Sequence, residues 1–383
     1  MSARRTMLWA LWLFLGLGCG LRVPGLLAGP SPPTIPTRTA PAPLLPRPPQ
    51  PNRATARPPR ATAPVPAASS TASPTATPAQ PGVLLFAIGV HVEPLGTTAQ
   101  GFTSSQRGDY HNPDFLARHG RDLQALAAVV EAHGGVLVIQ AQSPFTTALV
   151  QSQQPLLADL AARGHEIGLH FHEEVHVGPQ AATQPAETWC AAMQAEIAAL
   201  RAASGGAPIR YWSGGNRYPQ VLDAGACAGL TVYGDWKDPR SQSMPAVLMG
   251  LNPWRPAGGT DGRDFGLFAT HDPAGAIVFL PAGLYTPQMT ARDDAEAYFA
   301  TVAQALQASL EAAAPDRVNV FHITLHPGEF RGSDDRPFGA LDDFLTAVVD
   351  PMVAAGRLQW ATFSQMAAAF AAWEAAHPGQ PPR

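Results

Sequence analysis

Between Gly164 and His176 the sequence reads GHEIGLHFHEEVH, four histidines and three glutamates in a chain whose charged residues amount to only 14%. Imidazoles and carboxylates at such density are the donors that zinc and other divalent transition metals take. The chemistry they suggest is metal-assisted hydrolysis. If the segment is a strand, alternate side chains share a face. Ile167, Leu169 and Phe171 then point one way, and Gly168, His170 and His172 the other. The apolar run LLFAIGVHVEP at 84–94 repeats the arrangement, with Val90 and Val92 on one face and His91 and Glu93 on the other. His91, Glu93, His170 and His172 form the candidate metal set, two pairs from two strand ends. His165 stands at the start of its strand and reads as structural. His176, beyond the strand, reads as a loop or supporting residue.

Other strand ends add groups to such a site. FHITLH at 321–326 places His322, Thr324 and His326 on one face, with His326 at the carboxyl end. A histidine there can protonate a leaving group or stabilise an oxyanion. YGDW at 233–236 puts Asp235 at another strand end, either orienting a histidine or holding a turn. In YWSGGNRY at 211–218, Trp212, Asn216, Arg217 and Tyr218 surround a glycine pair. Aromatic faces with amide and guanidinium donors suit a sugar ring, and Trp254 in the irregular segment NPWRPAGG could wall a cleft. No GxSxG elbow supports serine hydrolase chemistry.

These residues need a scaffold that brings strand ends together. From Val83 onward, short apolar strands alternate with amphipathic helices such as PDFLARHGRDLQALAAVVEA and PAETWCAAMQAEIAALRAA. That rhythm means βα units with parallel strands, closed into a barrel or left as an open sheet, with functional groups at the carboxyl ends. The globular part is expected over 82–375, followed by a disordered tail at 376–383. Of the 40 prolines, 17 fall within 29–81, a Pro/Ala/Thr/Ser-rich segment with no apolar periodicity, expected to be a disordered linker. Residues 1–28 have a basic start, an apolar run and small residues, the layout of a signal peptide or membrane anchor. The protein is therefore expected outside the cytoplasm, secreted or anchored at the outer face of the cell membrane. In an oxidising compartment Cys190 and Cys227 can pair, or they stand as two buried thiols. A net charge of −4 gives no basic field, which argues against a nucleic-acid partner.

RGHEIGLH at 163–170, ITLH at 323–326, GLTVYGDW at 229–236 and LQWATFSQMAAAF at 358–370 resemble segments of the polysaccharide deacetylase, or NodB-homology, family. The resemblance spans about Val83 to Trp373. It implies an α/β fold, a distorted (β/α) barrel with parallel strands, and hydrolysis of N- or O-acetyl groups on a carbohydrate with a divalent metal, zinc first. It also implies that His170 is a metal ligand and His326 the catalytic histidine. Asp235 and Trp236 match the Asp-Trp pair that ends a family strand. The family's adjacent aspartates on the first strand are replaced here by VHVEP, and the position of its second metal histidine is Glu174. His172 or Glu174 would then complete the ligand set, and Glu93 or Glu174 would take the proton from water. Two other functions suit such a fold: a glycoside hydrolase-like enzyme using Glu93 and Asp235, and a non-catalytic sugar-binding protein.

Overall fold

The computed structural model describes residues 82–92, 110, 112–216, 218–236, 244–261, 264–284 and 294–383. The expected leader at 1–28 and linker at 29–81 lie outside the described residues, as do Glu93 and Arg217. The first half runs β1 (Leu84–Val92), α1 (Pro113–Ala132), β2 (Leu137–Ala141), α2 (Phe145–Gln151), α3 (Leu156–Ala162), β3 (Glu166–His170), α4 (Glu173–His176) and α5 (Ala186–Ala203). The second continues through β4 (Tyr211–Ser213), α6 (Val221–Cys227), β5 (Val232–Gly234), α7 (Gly266–Ala269), β6 (Val278–Leu280) and α8 (Ala295–Ala312). It closes with β7 (Asn319–Leu325), α9 (Gly339–Phe344), α10 (Asp350–Ala354), β8 (Leu358–Trp360) and α11 (Phe363–Ala376).

Local chemistry sets the helix limits. Asn112 caps α1 by accepting from the Asp114 amide, with Pro113 at the first turn, where its missing N–H costs nothing. Gly134, at φ +71, turns the chain out at the far end. Thr362 and Gln365 close a reciprocal capping box at the start of α11. The Glu166 carboxylate also accepts from the Ser364 amide and hydroxyl, which ties β3 to that helix start.

All strands are parallel, in the order β6-β5-β4-β3-β2-β1-β7. β7 pairs along β1 from Leu84 to Val90. The opposite edge of β1 is shared, by β8 up to Phe86 and by β2 from Ile88. Between β6 and β7, the stretch 250–254 runs antiparallel to β6, and its Leu251 carbonyl accepts from Val320. The Ala282 carbonyl likewise accepts from the His322 amide. The sheet is thereby nearly closed, a distorted (β/α) barrel. Ile88, Val90, Ile139, Ile167, Leu169, Trp212, Tyr233 and Phe321 pack outward in the main helix-lined core. Ala87, Val138, Tyr211, Val232, Val278 and Val320 form a second cluster with Phe363, Met366 and Phe370 of α11. Beyond that apolar layer, buried polar groups such as His91, His170 and Ser213 lie toward the carboxyl ends of their strands.

Cys190 of α5 and Cys227 of α6 are joined in a disulfide. The last residues, expected as a disordered tail, pack against the body. The Arg383 guanidinium lies 4.1 Å from the Trp254 ring centre and donates to the Val247 carbonyl at 2.9 Å. No helix among the described residues is long and apolar enough to cross a membrane.

Candidate active site

The inward row of β1 runs Ala87, Gly89, His91, and that of β3 ends at Gly168 and His170. In β4 it is Tyr211 and Ser213; in β7, His322 and Thr324, continued by His326. Strict alternation turns Asp235 outward after Gly234. Its φ of +55, a left-handed conformation that aspartate tolerates better than most residues, brings the carboxylate back over the barrel end. His91 Nε2 lies 2.5 Å from Asp235 Oδ2 and 3.3 Å from Ser213 Oγ. His170 Nδ1 is 2.8 Å from the same Ser213 oxygen. The His91 and His170 rings stack with centroids 3.8 Å apart, and His326 stands edge-on to His91 at 5.4 Å. Glu329, three residues on, accepts from the His326 amide at 3.1 Å and pairs with its Nδ1 at 3.0 Å. His91, His170, Asp235 and His326 are all buried. An ionised carboxylate is expensive to bury unpaired, and the His91 imidazole is one partner that Asp235 has there.

The structure thus brings together His91, His170, Asp235 and His326 from four strands. His172 stands beside them, its ring edge-on to His170 at 4.5 Å. The strand itself ends at His170, and His172 caps α4 in an extended conformation. Glu174 is exposed on α4. Glu173 is the half-buried one: its carboxylate accepts from the Gly215 amide at 3.2 Å, and burial pushes it above the ordinary carboxylate range.

The aromatic wall expected for a sugar requires correction. Trp212 and Trp254 are fully buried. Trp212 points to the helix side of β4, stacked on Tyr233 at 4.5 Å, and Trp254 donates its Nε1–H to the Phe268 carbonyl at 2.6 Å. Both are core residues. Asn216 ties a loop together: its carbonyl accepts from Trp236 Nε1 and Thr260 Oγ1, and its Oδ1 from the Tyr233 hydroxyl. Tyr218 is half-buried, with its ring 5.0 Å from Trp189.

Three polar participants escape a sequence reading. Ser213 shares the inward parity of Tyr211, Glu329 follows His326 in HPGE, and Gln142 continues the row of Gln140. Only the parity signals are visible beforehand.

Whether these residues suit a metal can be read from the partners of the imidazoles. Histidine ligands ordinarily engage their second nitrogen with a carboxylate, hydroxyl or carbonyl that fixes the ring. His91 has Asp235 and His170 has Ser213 in that position, so the donor types and their support fit a divalent ion. Among the described residues no group of three or more His, Cys, Asp or Glu side chains is set to hold one.

Neither a family model nor a curated protein sequence matches the chain. Solved structures do. A protein assigned as a polysaccharide deacetylase from Mycobacterium smegmatis matches at TM-score 0.52 and 15% identity, over 79% of this chain and 95% of that one. One from Pseudomonas aeruginosa PAO1, assigned likewise, matches at 0.50 and 17%, over 78% and 93%. The PuuE allantoinase matches at 0.51 and 16%, again over 78% and 93%. At such identities the likeness speaks for architecture, and the architecture of this chain is a divergent example of the polysaccharide deacetylase fold.

Proposed function

We propose that the protein is a metal-dependent hydrolase that removes N- or O-acetyl groups from a carbohydrate. The observation that carries this reading is the convergence of His91, His170, Asp235 and His326 at one barrel end. The fold's appearance in proteins assigned as polysaccharide deacetylases supports the substrate class. His91 and His170, with Glu93 as the third donor, would hold a divalent ion such as zinc. An ion there supplies polarisation of an acyl carbonyl and a lowered pKa for water.

The chain's own groups do the rest. Ser213 fixes the His170 ring, and Asp235 fixes His91. Asp235 is also the carboxylate within the cluster that can take up the proton released when water adds to the acyl carbon. His326, held by Glu329, delivers a proton to the departing oxygen or nitrogen as the acyl bond breaks. Acetate and a free sugar hydroxyl or amine result.

Export belongs to the same reading. The basic, apolar N-terminus and the Cys190–Cys227 disulfide support a site of action outside the cytoplasm, secreted or anchored through the N-terminus.

Acetate release from acetylated xylo- and chito-oligosaccharides, measured before and after chelation, tests the proposal. Release that chelation abolishes and zinc restores is expected. Release unaffected by exhaustive chelation, or none from any acetylated glycan, would overturn it.

A further inference from the structure

The mechanism above leaves one polar assembly beside the cluster unused. Gln142 follows β2 and is buried. It continues the inward row of Gln140, whose amide nitrogen would lie 2.8 Å from a side chain built at Gly89. Its Oε1 accepts twice: from the His172 amide at 3.3 Å and from His176 Nε2 at 2.8 Å. The first contact settles the amide's orientation, because a backbone N–H can only donate. His176 Nε2 must then carry its hydrogen.

His176 is itself braced. Its Nδ1 lies 3.4 Å from Glu196 Oε1 on α5, and its ring stacks on Phe171 with centroids 5.1 Å apart. The second Glu196 oxygen accepts from the Ser143 amide at 2.8 Å. An imidazole and a backbone amide therefore hold one side of the glutamine amide, and a carboxylate stands behind the imidazole. Such bracing costs side-chain freedom and the burial of Glu196. With Oε1 held at two points, the NH2 on the other side of the amide is not left to rotate.

We infer that the Gln142 side-chain amide donates a hydrogen bond to the acyl oxygen of the substrate as negative charge develops on it. Fixed amide donors do this in other hydrolytic sites, where removing one costs roughly 10²–10³ in kcat. The inference rests on the proposed acyl hydrolysis and names a residue for it. Glu196 and His176 act only through Gln142 and are positioning residues.

Gln142→Glu is the discriminating variant: it retains an oxygen for His172 and His176 and replaces the donor with an acceptor. Gln142→Met removes the donor without adding charge. If the wild type releases acetate from an acetylated glycan, both variants should lose about 100-fold or more in kcat, with KM within about threefold and melting still cooperative. Activity within about threefold of wild type in a folded variant of either kind overturns the inference and leaves the acyl-hydrolase reading standing. If the wild type releases no acetate, that reading fails. The donor is then judged by calorimetry with acetate itself: binding about tenfold weaker in Gln142→Met supports it, and equal binding, or none to the wild type, overturns it.

Discussion

His91 Nε2 and Asp235 Oδ2 lie 2.5 Å apart although β2, β3 and β4 separate their strands in the sheet. Barrel curvature and one left-handed residue together produce that contact. Asn at 235 tolerates the backbone and keeps the shape, whereas Ala adds strain of about 1 kcal/mol. Asp235→Asn should therefore melt close to wild type while its metal affinity falls about 10–100-fold, the usual effect of losing a group that orients a ligand histidine. Competition with a chromogenic chelator measures this. Unchanged affinity would remove Asp235 from the site.

The Cys190–Cys227 bridge spans 37 residues. In the chain-entropy view a loop of that length is worth about 4 kcal/mol, with strain or residual structure reducing it. Replacing both cysteines by Ala should cost about 2–4 kcal/mol in urea unfolding at fixed pH. A loss below about 1 kcal/mol would show that α5 and α6 are held by packing alone.

Burial, assisted by the nearby Arg118 charge, lowers His119 from 6.5 to about 4, and the Tyr110 hydroxyl lies 3.0 Å from its Nδ1. The unfolded chain takes up this proton near pH 6.5, and the folded protein only near pH 4. Between those values the unfolded state binds more protons, so stability rises with pH across the window. The contribution is complete above 6.5 and lost on descent through 4, about 3 kcal/mol in all. Denaturation curves at pH 7 and pH 4.5 should differ less in His119→Gln by most of that amount. An unchanged difference would show that His119 titrates normally.

Trp212, buried and stacked on Tyr233, should behave as a core residue. Trp212→Ala is expected to cost about 3–5 kcal/mol, seen as a large fall in the melting temperature, and Trp212→Phe much less. An alanine variant as stable as wild type would return Trp212 to the sugar-facing role that its sequence context suggests.

The two strands carrying the central histidines were legible because alternation is a local property. LLFAIGVHV and EIGLH each divide into an apolar face and a histidine face, and FHITLH places His326 by the same rule. Alternation failed where the backbone departs from it. Asp235 reaches His91 only through its positive φ, which nothing in YGDW announces. The histidine row of β3 is two residues shorter than alternation alone predicts: Phe171 still pairs with the Ser213 carbonyl, but the strand ends at His170 and α4 begins at Glu173. Trp212 departs from its expected place for a different reason. Which face of β4 meets the helices is fixed by its register with β3, Leu169 opposite Trp212, and that register is a tertiary fact.

Metal stoichiometry tests the central claim most directly. Elemental analysis of purified wild type and His170→Ala, each shown to be folded by cooperative melting, should find about one equivalent of zinc or a related ion in the first and a trace in the second. A full equivalent retained by folded His170→Ala, or an active wild type that holds no metal, would contradict the assignment of His91 and His170 as ligands.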